Sequence, residues 1–146
     1  MMNKKGFTMV ELLAVVVLLG VLAAIAMPTV QKYIGEARTR YNNQLENQLV
    51  IAGKAYFSDN RNLLPKLTYN DRVSMKEEAE SNVTSSELMT RNYLKNELKD
   101  YDGATCNDSY VIVVKKSTSE EEFWYPCLIC GEGSEKKPLS TNDYCS

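Results

Sequence analysis

The spacing of hydrophobic and polar positions changes character as the chain proceeds. Residues 12–30 contain no Asp, Glu, Lys or Arg and are predominantly apolar. As a helix rising 1.5 Å per residue, that run covers roughly 28 Å, close to the ~30 Å hydrocarbon core of a bilayer. Over residues 31–57 the pattern becomes one-sided. Ile34, Ala37, Tyr41, Leu45, Leu49, Ala52 and Tyr56 recur at spacings of three and four against a polar back, the mark of an amphipathic helix. The two runs join into one predicted helix over about residues 7–57, roughly 75 Å long. Its first half suits lipid or copies of itself. Its second half suits a globular head.

Beyond the helix, residues 58–71 read as a loop, with Pro65 inside it and Leu63, Leu64 and Leu67 turned back to the core. Residues 72–82 are polar and read as a weak helical turn. Thr84-Ser85-Ser86-Glu87 has the spacing of a capping box, which starts a short helix through about Arg91, resuming toward Leu98. Leu88, Tyr93, Leu94 and Leu98 are its core candidates. Residues 109–116 form a β-branched, aromatic strand. Ser117-Thr118-Ser119 turns the chain, and residues 122–125 begin the return strand. Pro126 demotes that strand to an edge or a bulge. The fold class is therefore α+β: one long N-terminal helix on a small antiparallel sheet.

Composition narrows the chemistry. Among 146 residues there is no histidine, and the net charge is −2. The commonest general base and metal ligand is thus missing, and no basic excess signals an electrostatic nucleic-acid binder. No nucleophile motif or phosphate loop is present, so an enzyme is not expected. The acid run Glu120-Glu121-Glu122 reads as a solvated turn. The two N-x-S/T matches, at Asn82 and Asn107, read as chance. Of the nine tyrosines, Tyr33, Tyr41 and Tyr56 lie along the helix as core or subunit contacts.

All four cysteines, Cys106, Cys127, Cys130 and Cys145, lie in the last part of the chain. An even, clustered set after an export segment points to disulfides. A hairpin turning near residue 118 sets Cys106 opposite Cys127, leaving Cys130 to pair with Cys145; the crossed connectivities stay open. A Cys₄ zinc site is the second reading, although only Cys127 and Cys130 have C-x₂-C spacing. A redox pair at Cys127 and Cys130 is the third, although Gly131-Glu132-Gly133 follows where such a motif has a helix.

The N-terminus holds the residues that most need explaining. Lys4 and Lys5 keep the amino end cytoplasmic by the positive-inside rule. A secretory signal has its cleavage site after the apolar core, and Ala24-Ile25-Ala26 fits that pattern but leaves Glu11 unexplained. A small residue, Gly6, instead precedes the core. A cut between Gly6 and Phe7 gives Phe7 a free amine, four residues from Glu11 in the first turn of a helix, where an anion is favoured. Pro28 removes one backbone donor inside the apolar run and kinks a helix that continues beyond it.

The stretch KGFTMVELLAVVVLLGVLAAIAMP resembles the class III signal and N-terminal helix of type IV pilins and pseudopilins. The resemblance covers roughly residues 4–30. It implies cleavage by a prepilin peptidase after Gly6 and N-methylation of Phe7. It further implies that Glu11 neutralises the terminal amine of a neighbouring subunit during assembly, and that Pro28 is the family's helix-kinking proline. The implied organisation is a six-residue leader (1–6), a transmembrane and filament-core half-helix (7–30), and an extracytoplasmic head (31–146) in a lollipop arrangement. A weaker resemblance, over residues ~93–130, links the cysteine-flanked hairpin to Gram-positive-type pilin-like proteins.

The expected role is that of a structural subunit of an extracellular helical filament. No cofactor is expected. The expected partners are other pilin subunits, the peptidase, and the cytoplasmic membrane before assembly. Its location is then first the membrane, as a single pass with the amino end inside, and later the cell surface. The alternatives are a pseudopilin of a type II secretion or competence DNA-uptake apparatus, where nucleic acid enters as a partner, and a membrane-anchored thiol oxidoreductase.

Overall fold

The computed structural model describes residues 6–67 and 78–145. Lys4, Lys5 and the first part of the polar stretch 72–82 lie outside the described residues. Helix α1 runs Met9–Asp59 and stays continuous through Pro28. Residues up to Thr39 make one unit, and Arg40–Ser146 make a second, compact one. In the second unit follow a 3₁₀ turn Arg61–Leu63, β1 Glu78–Thr84 and α2 Ser85–Thr90. Then come β2 Tyr110–Lys116, β3 Glu122–Cys127, and the short pair β4 Ile129–Cys130 and β5 Lys137–Pro138. The fold is α+β.

Strands β1, β2 and β3 form one antiparallel sheet in that order. The register sets Val83 opposite Val111 and Tyr110 opposite Cys127. Side chains alternate across a strand, so Val83, Val111 and Val113 face inward. There they meet Leu45, Leu49, Ala52, Tyr56 and Phe57 of α1. The helical stripe read from the sequence is thus buried from Leu45 onward, while Ile34 and Tyr41 remain 41% and 38% exposed. Gly53 sits where helix and sheet come closest. A Cβ there lies 3.3 Å from the Val111 side chain.

Ile112 and Val114 point to the outer face, which Phe123, Tyr125, Cys127 and Tyr144 cover. Covered on both faces, β2 is apolar at consecutive positions, as a central strand demands. The edge strand β3 holds Pro126, where a missing ladder donor is tolerated.

Three expectations are corrected. Residues 78–82 are not helical: they belong to β1. Pairing with β2 buries Ala79 and Val83, and a tertiary partner overrides a polar stretch's weak local preference. The helix after Thr84 does not resume toward Leu98. Asn92 takes a left-handed φ of 63°, and Tyr93 N–H donates to the Leu88 carbonyl (2.9 Å) while Asn92 N–H donates to that of Met89 (3.0 Å). These two bonds form a Schellman stop. Leu88, Leu94 and Leu98 are nonetheless buried.

The third correction concerns the disulfides, which join Cys106 to Cys130 and Cys127 to Cys145. The observed register puts Tyr110, not Cys106, across from Cys127. Cys106 is four residues further back, beyond a turn in which Ser109 N–H donates to its carbonyl. Cys127 points to the outer face with Ile112, and Cys106 and Cys130 lie in the inner core. One staple therefore closes each face of the sheet.

Candidate functional site

Helix α1 begins on a reciprocal cap. Thr8 N–H and Thr8 Oγ–H both donate to Glu11 Oε2, at 3.0 and 3.1 Å. Glu11 N–H in turn donates to Thr8 Oγ at 3.2 Å. Two of the donors orphaned at a helix start are satisfied in this way. Glu11 thus has a partner in its own chain, Thr8, which the sequence reading passed over. The signal was available, because Thr8-x-x-Glu11 has the same spacing as Thr84-x-x-Glu87. In the second case the Thr84 hydroxyl accepts from Glu87 N–H at 3.2 Å. The Glu87 carboxylate instead reaches the Tyr56 hydroxyl (2.8 Å) and Arg91 (3.2 Å).

Just before the cap, Gly6 and Phe7 lie outside the helix and are exposed, Phe7 at 85%. A Cβ on Gly6 would meet nothing within 4 Å. The segment is therefore sterically open. After the cap, Leu12, Leu13, Val16, Leu18, Leu19, Leu22 and Ile25 are each more than half exposed. The helix is long and apolar enough there to cross a membrane. So large a bare apolar surface calls for lipid or a protein partner.

The four cysteines offer no thiolate, since every one is in a disulfide. Cys127 and Cys130 bond to different partners, so the proposed redox pair is not a pair. Among the described residues no group of His, Cys, Asp and Glu is placed to hold a metal.

In two polar clusters of the head, Tyr56, Tyr144 and Lys116 titrate above their ordinary values. Burial, and then the hydrogen bond to Glu87, push the Tyr56 hydroxyl up. On the outer face the Tyr144 hydroxyl donates to Glu78 (2.9 Å), and Lys116 pairs with the same carboxylate (3.3 Å). The Glu78 contact raises both Tyr144 and Lys116.

The model for the prokaryotic N-terminal methylation motif matches residues 1–27. The chain is 32% identical over 89 residues to the type IV major alpha-pilin of Moraxella bovis, covering 60% of this chain and 52% of that one. It is 30% identical over 111 residues to the type IV major pilin protein PilE of Neisseria gonorrhoeae, covering 74% of this chain and 59% of that one. Fimbrial protein Q of Moraxella bovis is 50% identical over 36 residues, 25% of this chain and 23% of that one. The chain spans little more than half the length of the two major pilins. No solved structure matches. With Gly6, Phe7 and Glu11 inside the matched segment, this chain carries a prokaryotic N-terminal methylation motif and is similar along more than half its length to type IV major pilins.

Proposed function

We propose that this protein is a structural subunit of an extracellular type IV pilus-like helical filament. The reading rests above all on the start of α1. An exposed Gly6-Phe7 segment leads into a capped Glu11, and behind it stands an apolar helical run whose side chains are exposed among the described residues. The precursor inserts with Lys4 and Lys5 on the cytoplasmic side. A prepilin peptidase removes residues 1–6 and N-methylates Phe7. The retained helix then leaves the membrane by packing against copies of itself, with Pro28 kinking or loosening it locally.

Glu11 pairs with the Phe7 amine of a neighbouring subunit. The Thr8 cap does not compete with this pairing. Both cap bonds fall on Oε2, and a carboxylate has about four acceptor sites. The role is structural rather than enzymatic, and no cofactor is needed.

Intact mass spectrometry of the mature, non-reduced protein tests the processing steps. The expected mass is that of a chain beginning at methylated Phe7 with two disulfides. A mature chain beginning anywhere else refutes the processing. A pseudopilin of a secretion or DNA-uptake apparatus shares the same N-terminal chemistry. Electron microscopy separates the two, since long surface fibres mark a pilin and their absence a pseudopilin.

A further inference from the structure

The four cysteines divide by reach. Cys106, Cys127 and Cys130 are buried, and Cys145 alone is half-buried. The Cys106–Cys130 disulfide lies in the inner core. Backbone bonds enclose it: Cys106 N–H donates to the Leu98 carbonyl and Gly131 N–H to that of Thr105, both at 2.9 Å. A reductant reaches that pair only when the head opens around it. The Cys127–Cys145 disulfide instead has one partner at the surface of the folded head.

Cys145 belongs to a strap, residues 141–145, laid on the outer face of the sheet. The segment before the strap is anchored. Leu139 N–H donates to the Leu128 carbonyl (2.8 Å), and the Ser140 hydroxyl accepts from Leu128 N–H (2.8 Å) and donates to Glu46 (2.5 Å). Beyond Ser140 the ties to the sheet are superficial. Asn142 Nδ2–H donates to the Pro126 carbonyl (2.7 Å), and the Tyr144 hydroxyl donates to Glu78 (2.9 Å). The Tyr144 ring stacks on Tyr125, with centroids 4.2 Å apart. Tyr144 and Cys145 nonetheless pack against Ile112, Val114 and Cys127. Asp143 and Tyr144 also wall a cleft of about 450 Å³, with Glu80, Asn82, Tyr110 and Ile112 among its other lining residues. The place of the strap therefore decides both the cover over β2 and the existence of that cleft.

We propose that Cys127–Cys145 is a redox latch: in the folded head a dithiol reduces this disulfide and not Cys106–Cys130, and the released strap swings off the outer face. Thiol–disulfide exchange depends on access to the attacked sulfur, and Cys145 offers it. A thiolate of the dithiol attacks Cys145 Sγ; the Cys127 sulfur leaves with the electron pair and takes up a proton. The second thiol then attacks its own partner sulfur in the mixed disulfide, and Cys145 leaves as a thiol. Two electrons pass to the protein, and the dithiol becomes a cyclic disulfide. Without the covalent link, the hydrogen bonds of Asn142 and Tyr144 exchange for bonds to water at little net cost. The anchor at Ser140 holds, so the strap opens from there.

The test uses the full chain in neutral detergent micelles, titrated with dithiothreitol, quenched with iodoacetamide and mapped by peptide. Cys127 and Cys145 are expected to be alkylated at dithiol concentrations on the order of tenfold or more below those that label Cys106 and Cys130. Cys127 is fully buried under the closed strap, so its alkylation reports opening. Amide exchange over residues 141–145 is expected to rise in step, and oxidised glutathione to restore slow exchange. Cys127→Ser/Cys145→Ser is expected to exchange fast there without dithiol and to show no response to it.

The proposal is overturned if all four cysteines label together, or if Cys106 and Cys130 label first. It is equally overturned if Cys145 labels while Cys127 stays protected and exchange is unchanged, or if oxidised glutathione does not restore the closed strap.

Discussion

Thr8 and Glu11 hold each other across the first turn of α1, the hydroxyl accepting from the Glu11 amide at 3.2 Å and the carboxylate accepting from the Thr8 amide at 3.0 Å. The two residues nevertheless have separable roles. Thr8→Ala removes one cap, worth about 1 kcal/mol of helix start, but leaves the Glu11 charge in place. It is expected to lower filament yield only modestly. On the proposed pairing, Glu11→Ala would leave the neighbour's Phe7 amine unpaired in an apolar core, at about 3–5 kcal/mol per subunit. It is expected to abolish filaments while the cleaved subunit accumulates in the membrane. Sheared-filament yield, set beside membrane-fraction subunit, measures both; wild-type filament levels from Glu11→Ala would refute the pairing.

The two staples differ in what surrounds them. Cys106 and Cys130 are 0% and 4% exposed in the inner core, whereas Cys145 is only half-buried. Their sequence separations of 24 and 18 residues give nearly equal loop-closure terms of about 3 kcal/mol each. Replacing Cys106 and Cys130 by serine also buries two hydroxyls among leucines and valines, so it is expected to cost more than the same change at Cys127 and Cys145. Denaturant unfolding ranks the two, and peptide mapping without reduction checks the 106–130 and 127–145 pairing.

Gly53 is a packing requirement rather than a flexible point. Its missing side chain lets α1 approach Val111. Alanine gains about 1 kcal/mol in helix propensity but presses on Val111, so Gly53→Ala is expected to be close to neutral. Gly53→Leu overpacks the contact and is expected to destabilise by about 1–3 kcal/mol. Urea midpoints of the two variants test this; an unchanged midpoint for Gly53→Leu would show that the helix and sheet are not so closely packed.

Alkaline pH is expected to loosen the outer face. Tyr144 and Lys116 both titrate above their ordinary values, chiefly through Glu78. For a raised group the contribution is complete below the unfolded pKa, about 10 for tyrosine and 10.4 for lysine, and is lost as pH climbs through the folded value. Stability should therefore hold to about pH 9 and fall beyond about pH 10. Tyr144→Phe should flatten that fall. Melting temperature against pH, for wild type and variant, gives the comparison; identical slopes would remove Tyr144 from the account.

Much of this protein was legible in one dimension, because the signals concerned are local. The apolar run, with Glu11 at its entrance and Gly6 before it, falls in the segment that matches the methylation motif, and it is legible without reference to anything distant. The stripe from Leu45 to Tyr56 and the cap at Thr84 are equally local, since periodicity and a hydrogen bond across three residues need no partner elsewhere. The hairpin of β2 and β3 was visible for the same reason.

What only the tertiary structure decided depends on register and on which face a residue meets. Strand β1 is polar at Glu78, Glu80, Asn82 and Thr84 because those side chains point outward, and only pairing with β2 makes residues 78–84 a strand. The disulfides turned on where β3 sits against β2. Tyr110 faces Cys127, so the next cysteines fall on opposite faces of the sheet, and linear spacing cannot report a face.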